Sequence, residues 1–544
     1  METNYFVKPN KYDLNILLPF FIMVCIISSI LLHCIDLRSV EDYYFLYNRA
    51  RQMLECIQDG NSFLFFYKDL NGVGYGSSFF YGFITLIPFL PFVNMGYNTF
   101  FTVYFLVTGF LFCSGSLFLA KKFSKNYIYI VSIYLLSTFI VEMFYTVGLI
   151  TNYFAIGIGF FFLGFCVDFF RDKKNILLVS FTYFLLLNTH LLTSVICFFC
   201  CVLLLIFYFD KNRLKEYLDL FVNTCIFCWF YIYNFVIHLD KGLNFNSTTI
   251  ERLYSNNDNK VMFKGTNLMF MDIPFLNLFS LNGTEGYSIL GFFIFIICLF
   301  IIFKNRKSFS FKELLVLYTF VLGCIIGLNF IWNVIMTKFN CIVQFPMRII
   351  FFLLFFFLIV VFRKLDNKNI LIFCVILSLP NLLLEFYVQQ SSFEANLKNI
   401  YNSQIINGEY LYNNFDLSFD NFDYYRSTVE DEQNKKYDFV LDNKYLYAKV
   451  SNETDIDKSI RLPKLYYKGY ICEYDIGNKI INLDIENGKN QFITVNIPPN
   501  TSGVLKLYYN TKYLDLLFIL NLIGIFSLVF CRNFFNFKNK IEIK

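Results

Sequence analysis

The sequence predicts a polytopic α-helical membrane protein with about 11–13 transmembrane helices and an external C-terminal β-sandwich before the last helix. Three observations lead to this fold class. First, 57% of the 544 residues are hydrophobic and only 16% are charged, whereas soluble domains carry about 25% charged residues. Second, several apolar runs reach the roughly 20 residues that cross a bilayer. Third, residues 388–512 alternate short β-prone runs with turns. A soluble enzyme, a secreted disulfide scaffold and a disordered chain are excluded.

Basic clusters between the apolar runs predict the orientation. The net charge is only +5, and no long basic stripe is present, so a nucleic-acid partner is not expected. By the positive-inside rule, both termini lie in the cytoplasm of a plasma-membrane protein, with loops 33–78 and 238–287 and region 388–512 outside. The clusters are Arg171/Lys173/Lys174, Lys211/Arg213/Lys215, Lys304/Arg306/Lys307, Arg363/Lys364/Lys368 and Arg532/Lys538/Lys540. The cluster Lys121/Lys122/Lys125 conflicts with a simple count of spans, because four apolar runs separate external Ser78 from internal Arg171.

The apolar runs divide the chain into a transmembrane domain (1–387), a neck and β-sandwich (388–512), and a last helix with a cytoplasmic tail (513–544). A first span is expected at about 14–32. Run 79–93 is short and holds two prolines, so it is re-entrant or interfacial if it does not span. Run 176–208 is too long for one span and predicts two helices meeting at Asn188-Thr189-His190. The other runs are 98–120, 127–147, 150–169, 217–237, 288–303, 312–334, 348–362, 370–387 and 513–531.

The region before the last helix predicts an antiparallel sandwich of about 75 residues behind a neck at 388–430. Turn signals such as Asn487-Gly488 separate the predicted strands. Examples of the β-prone runs are Tyr437–Leu441, Tyr445–Val450, Tyr470–Tyr474, Lys479–Leu483, Gln491–Ile497 and Val504–Tyr509.

The first external loop carries the acidic pair Glu41 and Asp42, with Arg49 seven residues after Asp42. On a helix, Asp42 and Arg49 share one face. A carboxylate at the membrane surface suits deprotonation of an acceptor hydroxyl. The alternative is a helix N-terminus in which both acids face the positive end of the dipole. The Gly-rich stretch that follows, 71–76, is expected to be a tight loop re-entering the membrane.

Other candidate residues lie at the ends of apolar runs. His190 sits between two apolar helices, where ionisable groups are costly and therefore candidates for function. Glu142 and Asn152 flank a neighbouring turn on the same predicted side. Arg348 opens a span, where a guanidinium clamps phosphate or anchors the helix at the interface. The two other histidines are interpreted as satisfied interfacial residues, and the cysteines as small hydrophobes. No metal site is predicted.

Five segments in order resemble bacterial YfhO-like membrane proteins, a family also labelled 6-pyruvoyl-tetrahydropterin synthase-related, although nothing here resembles that soluble enzyme. Residues 41–82 carry an acid, an Arg seven residues later, Gly-x-Gly-Tyr and Phe-Tyr. The other segments are Thr189-His190-Leu191-Leu192-Thr193, Gln344-Phe345-Pro346-Met347-Arg348, Glu409-Tyr410-Leu411 and Leu465-Tyr466-Tyr467-Lys468-Gly469-Tyr470. Two residues depart from the family pattern: Met347 stands where the family usually has Trp, and Tyr412 where it usually has Pro. Leu46 occupies a position where the family often has His, and this difference argues against metal binding or acid–base support at position 46.

The resemblance implies a GT-C-type glycosyltransferase that moves a sugar from a polyprenyl-phosphate donor to a cell-envelope acceptor. Asp42 would be the catalytic base, and Arg49, His190 and Arg348 would line the donor phosphate or the sugar; Glu41, Glu142 and Asn152 complete the substrate-binding set. The expected partners are the lipid bilayer, the donor and the acceptor, and any divalent cation lacks a clear ligand set. The alternatives are a flippase or transporter of lipid-linked saccharide, and a non-catalytic glycan-binding envelope protein.

Overall fold

A computed structural model describes residues 41–137, 150–239, 288–326, 347–378 and 424–542 of the chain. Five helices in these ranges are long and apolar enough to cross a membrane. They are Tyr97–Lys121, Thr151–Asp172, Leu191–Tyr208, Lys211–His238 and Lys512–Arg532. The predicted first span at 14–32 and most of the neck lie outside the described residues. The total number of spans and their orientation stay predictions.

The helical part follows the predicted apolar runs. The helices are α1 (Glu41–Gln58), α2 (Tyr97–Lys121), α3 (Tyr127–Leu135), α4 (Ile150–Asp172), α5 (Ile176–Leu187), α6 (Leu191–Tyr208), α7 (Leu214–His238), α8 (Ser288–Lys304), α9 (Phe311–Ile326), α10 (Met347–Phe362), α11 (Lys368–Ser378) and α12 (Lys512–Glu542). Short helical turns cover Asp69–Gly72, Ser77–Phe79, Ile84–Phe89, Leu90–Val93, Lys211–Arg213, Arg306–Ser308 and Lys489–Gln491.

Two of the predicted irregularities are present. The run 176–208 is divided into α5 and α6 with a break at residues 188–190, as its length predicted. Within the run 79–93, the longest helical segment is Ile84–Val93. Its first part, Ile84–Phe89, is a 3-10 helix, which rises about 2.0 Å per residue, and its second part, Leu90–Val93, is α-helical. The segment is therefore about 18 Å long, well short of the hydrocarbon thickness of about 30 Å. The run is therefore no single membrane-length helix.

The described residues group into two compact units. The first contains the described residues of Met1–Tyr44, Met95–Thr224 and the described residues of Arg252–Leu397. The second contains Phe45–Asn94, Cys225–Glu251 and the described residues of Lys398–Lys544. This grouping is not linear along the chain, because the first loop from Phe45 onward is grouped with the β domain in one unit.

In the first unit, α2 and α4 pack closely through glycines. A Cβ added to Gly115 would lie 2.5 Å from the carbonyl oxygen of Gly157, and one added to Gly157 would lie 2.8 Å from the backbone nitrogen of Phe112. Small residues allow such close helix approach where no hydrophobic effect drives association. This packing fixes the position of α4, which carries Asn152 in its first turn.

In the second unit, ten antiparallel strands form two five-stranded sheets, as expected for a sandwich. One sheet has the order β2-β1-β5-β9-β8 and the other β3-β4-β10-β6-β7. The strands are β1 (Val429–Asp431), β2 (Lys436–Tyr437), β3 (Phe439–Asp442), β4 (Tyr445–Asn452), β5 (Lys458–Leu465), β6 (Tyr470–Asp475), β7 (Ile480–Leu483), β8 (Ile485–Asn487), β9 (Phe492–Ile497) and β10 (Thr501–Tyr509). The two sheets share one apolar core, in which Leu446, Ile460, Val495 and Leu505 are fully buried.

Strand β5 was not predicted, because Pro463 and three basic residues interrupt its pattern. Its register with β9 shifts between Arg461 and Leu465. Pro463 lies in this irregular stretch, where its missing N–H removes no ladder hydrogen bond. The bulge therefore explains how a proline is tolerated in a strand with neighbours on both sides.

Candidate functional site

The break between α5 and α6 is built from polar side chains that complete both helix ends. Asn188 Nδ2 donates to the carbonyl of Phe184 at 3.0 Å, and Thr189 Oγ1 donates to the carbonyl of Leu185 at 2.6 Å. These bonds supplement the last turn of α5, where backbone carbonyls lack helical partners. His190 has extended backbone angles and is the N-cap residue of α6. A polar turn is therefore held between two apolar helices.

His190, Thr193 and Asn152 form a buried polar cluster at this break. The backbone N–H of Thr193 donates to His190 Nδ1 at 3.2 Å, and Thr193 Oγ1 lies 2.9 Å from the same nitrogen. Thr193 Oγ1 also donates to Asn152 Oδ1 at 2.6 Å. The exposed fractions are only 6% for His190, 1% for Thr193 and 2% for Asn152. The structure thus brings together two predicted site residues through a third that was not predicted.

Asn152 Nδ2 has no hydrogen-bond partner among the described residues. A buried donor without an acceptor destabilises a structure by about 1–3 kcal/mol. Such atoms in a native fold call for an explanation, which includes a bound ligand. We refer to His190, Thr193 and Asn152 as the α6 N-terminal cluster.

Charged residues of the first unit lie near the other end of α4. Lys122 Nζ lies 2.5 Å from Asp168 Oδ1, and Arg213 donates to the carbonyls of Phe169 and Phe170. Asn152 and Asp168 are separated along α4 by about 24 Å at a rise of about 1.5 Å per residue. The α6 N-terminal cluster is therefore remote from these basic residues.

In the second unit, Arg49 organises the first loop. Its Nη2 donates to the carbonyls of Tyr81 at 3.2 Å and Gly82 at 3.0 Å. The guanidinium also lies 5.0 Å from the ring centroid of Tyr81 and 5.5 Å from that of Phe45. Only 2% of Arg49 is exposed. These contacts show a structural role in holding the loop, and the predicted role in substrate binding stays a prediction.

The Gly-rich loop binds to strand β5 of the same unit. Lys464 Nζ donates to the carbonyls of Tyr67 and Gly72, and the backbone N–H of Leu465 donates to the carbonyl of Val73 at 3.4 Å. Gly74 has φ +89°, and a Cβ there would lie 3.1 Å from the ring of Phe65. A glycine is required at this position by both the backbone angle and the close ring.

An aromatic cluster continues this contact. Phe65 stacks on Tyr509 with ring centroids 4.2 Å apart, and Phe79 stacks on His238 at 3.7 Å. His238 Nε2 lies 2.8 Å from the hydroxyl of Tyr509, and Nδ1 lies 2.8 Å from the carbonyl of Asn234. Both ring nitrogens have polar partners, so His238 is a satisfied buried histidine, as its position at a span end indicated.

Three buried side-chain oxygens around the first loop have no hydrogen-bond partner among the described residues. They are Gln52 Oε1, Ser77 Oγ and Ser78 Oγ. Gln52 is 3% exposed, and both serines are fully buried. Buried polar atoms of this kind are usually satisfied by water or by a ligand with hydroxyl groups. The first loop therefore contains buried polar oxygens of the kind that a ligand satisfies, in addition to the contacts that hold the loop in place.

For three of the remaining predicted site residues the structure describes the backbone position alone. Glu41 and Asp42 lie in the first turn of α1, and Arg348 lies in the first turn of α10. Their side chains, and the whole of Glu142, are outside the described set. Among the described residues, no group of three or more His, Cys, Asp or Glu side chains could hold a metal ion.

Sequence reasoning missed two residues, Thr193 and Lys464. Thr193 closes the motif Thr189–Thr193, but it was given no role, because its partner Asn152 lies 41 residues earlier in the chain. Lys464 resembled any other surface lysine, yet it is 3% exposed and binds a carbonyl 397 residues away. No local feature of the sequence marked this lysine, because Pro463 and the neighbouring basic residues also hid the strand that carries it.

Comparisons with known proteins give a short match. Over 80 residues the chain is 32% identical to an uncharacterized protein of Lactococcus lactis subsp. cremoris (strain MG1363). The match covers 14% of this chain, which spans 13% of that relative's length. No protein-family model matches the chain. No solved structure matches it either.

Proposed function

We propose that this protein is a membrane glycosyltransferase of the YfhO-like, GT-C type, which transfers a sugar from a polyprenyl-phosphate donor to a cell-envelope acceptor. The observation that carries the proposal is the α6 N-terminal cluster, a buried polar site in a break between two apolar helices. Polar groups in such surroundings are expensive and are retained for function. The five ordered sequence motifs supply the family and the reaction.

The proposed reaction is a displacement at the anomeric carbon. The oxygen of the acceptor hydroxyl attacks that carbon, and its proton passes to the Asp42 carboxylate. The bond between the anomeric carbon and the phosphate oxygen breaks, and polyprenyl phosphate leaves with the electron pair. A single displacement inverts the anomeric configuration. General-base catalysis typically contributes about 10²–10⁴-fold to the rate.

The other proposed roles follow from charge. The leaving phosphate gains negative charge, which hydrogen-bond donors and cations stabilise. Arg348 and His190 would supply these contacts, with Glu41, Glu142 and Asn152 around the substrate. Arg49 would act by holding the loop that follows α1, because its guanidinium binds the carbonyls of Tyr81 and Gly82. We propose that the site lies on the external side, which is the orientation that the positive-inside rule predicts.

A transfer assay in membranes tests the proposal. Membranes containing the wild-type chain, Asp42→Asn or Asp42→Ala receive a panel of radiolabelled polyprenyl-phosphate sugars, and label in the envelope polymer is measured. The matched control is Asp59→Asn, which makes the same exchange at an acid that follows α1. Asp59 lies 2.5 Å from Lys68 in a partly exposed ion pair, and such pairs contribute only about 0–1 kcal/mol to stability.

We expect wild type and Asp59→Asn to transfer label and both Asp42 variants to lose transfer at equal protein levels. Transfer that survives both Asp42 changes would reject Asp42 as the base and leave the enzyme proposal standing. Absence of transfer from every donor would contradict the enzyme proposal. The flippase and glycan-binding alternatives would then be tested by saccharide translocation and by binding.

A further inference from the structure

We propose that the first unit binds the phosphate of an anionic phospholipid through Arg171 and Lys312, at the end where α4 and α6 finish and α9 begins. We refer to Arg171, Tyr208 and Lys312 as the α6 C-terminal site. It lies about 27 Å from the start of α6 at a rise of about 1.5 Å per residue. The inference is therefore independent of the proposed sugar transfer.

Five segments with an excess of basic residues meet at this end of the first unit. The segments are 121–125, 168–174, 207–216, 304–313 and 363–368, and together they hold sixteen Lys and Arg against six Asp and Glu. Hydrogen bonds join them in a chain: Arg171 Nη1 to the Lys122 carbonyl at 3.3 Å, Arg171 Nη2 to the Tyr208 hydroxyl at 2.9 Å, Lys312 Nζ to the Phe207 carbonyl at 2.8 Å, and Lys364 Nζ to the Ser308 carbonyl at 3.0 Å. An accumulation of one charge sign at one face favours an anionic partner.

Most of the acids at this end are bound to other cations. The pairs are Lys122–Asp168 at 2.5 Å, Lys173–Glu216 at 2.7 Å, Arg363–Glu313 at 2.7 Å and Lys125–Asp366 at 2.8 Å. Lys312 is exposed and enters no ion pair within the described ranges. Positive charge is therefore left over at Lys312.

The last turn of α6 holds both proposed ligands around one ring. The guanidinium of Arg171 lies 5.4 Å from the ring centroid of Tyr208, in addition to its bond with the hydroxyl. Lys312 Nζ lies 5.4 Å from the same centroid. The two cations come from different helices, α4 and α9, and Tyr208 positions both. A guanidinium offers a planar fork of donors and an ammonium offers three, so the pair suits the several oxygens of one phosphate.

The surroundings of the two cations favour a lipid over a soluble anion. Apolar side chains are exposed on α9 at Phe311 (81%) and Tyr318, and on α6 at Phe199 and Ile206 (64%). The members of each pair are seven residues apart, so they share one helix face. A phospholipid places a phosphate next to acyl chains, which match these faces. Basic sites between transmembrane helices bind anionic headgroups in this way.

Substitutions separate this site from general attraction to a basic surface. Lys312→Gln removes one charge from an exposed side chain, and Arg171→Gln removes the guanidinium that contacts Tyr208. Lys174→Gln is the matched control, because it makes the same change of charge at an exposed lysine of the same end. Within the described part of the chain, Lys174 makes no ion pair.

The experiment measures equilibrium binding of radiolabelled phosphatidylglycerol to the purified full chain in an uncharged detergent. Phosphatidylcholine with the same acyl chains and glycerol 3-phosphate are the competitors. We expect wild type and Lys174→Gln to prefer phosphatidylglycerol over both. Lys312→Gln and Arg171→Gln should each weaken binding about tenfold or more, the effect of losing one hydrogen bond to a charged group.

Equal competition by phosphatidylcholine would overturn the inference, and equal competition by glycerol 3-phosphate would contradict a lipid site. Equal losses in Lys312→Gln and Lys174→Gln would show diffuse attraction without a site. Unchanged binding in both site variants would show that Arg171 and Lys312 only cap α6. Thermal unfolding without lipid checks the fold. If Arg171→Gln does not fold, Lys312→Gln decides the question, because its side chain is exposed.

Discussion

The buried Lys464 predicts an unusual pH dependence of the β domain. The residue is 3% exposed, and its ammonium donates to two carbonyls of the first loop. Burial lowers the pKa of Lys464 to about 8, from an ordinary lysine value of about 10.4. Between these two values the unfolded chain binds one proton more than the folded chain. The free energy of unfolding should therefore rise with pH in this window.

The magnitude follows from the shift. At about 1.4 kcal/mol per pH unit, charge burial at Lys464 destabilises the fold by about 3 kcal/mol at neutral pH, and about 1.5 kcal/mol is regained between about pH 8 and pH 9.5. Higher pH is avoided because burial also raises the pKa of the Tyr67 and Tyr470 hydroxyls, so these groups oppose folding above about pH 10.

The assay is urea unfolding of the full chain in detergent, with the β domain followed by pulse proteolysis at several pH values. Lys464→Met should lack the gain of about 1.5 kcal/mol, and the difference between its profile and that of wild type removes the contribution of other groups. Lys449→Met changes an exposed lysine of β4 and should behave as wild type. Parallel pH profiles for wild type and Lys464→Met would refute the reasoning.

Two further predictions concern packing and charge. Gly115→Ala should destabilise the chain by about 1–3 kcal/mol, because its Cβ would meet the Gly157 carbonyl at 2.5 Å; thermal unfolding in detergent measures this, and an unchanged midpoint would contradict it. Burial opposes ionisation of Glu430, but hydrogen bonds from Tyr424 and Arg461 hold the pKa of its carboxyl below the ordinary value. Stability should therefore fall as pH drops below about 4.3. Arg461→Met should weaken that dependence and lower the urea midpoint; an unchanged acid profile would argue against it.

The helix break was accessible from the sequence, whereas the cluster at the break was not. The apolar run 176–208 is too long to cross once, and Asn188 and His190 mark where polar groups enter it. The bond between Thr193 and Asn152 depends on how α4 packs beside α6. Such a contact between distant segments leaves no periodic signal in either one.

In the β domain, too, the sequence predicted most elements but not the contacts between distant segments. Alternating patterns predicted most of its longer strands, but β5 was hidden by Pro463, which a register shift accommodates. The binding of the first loop to Lys464 was also hidden, because nothing local distinguishes a lysine that binds carbonyls from one in solvent. Local chemistry thus predicted elements and candidate residues, and the packing decided which residues meet.

Release of polyprenyl phosphate by the purified chain tests the central proposal most directly. The wild-type protein in liposomes is given the panel of polyprenyl-phosphate sugars with an acceptor extract, and free polyprenyl phosphate is measured against sugar transferred. We predict equal amounts of both products from at least one donor, with neither product formed by Asp42→Asn. Failure of the folded wild-type chain to release polyprenyl phosphate from any donor would contradict the account.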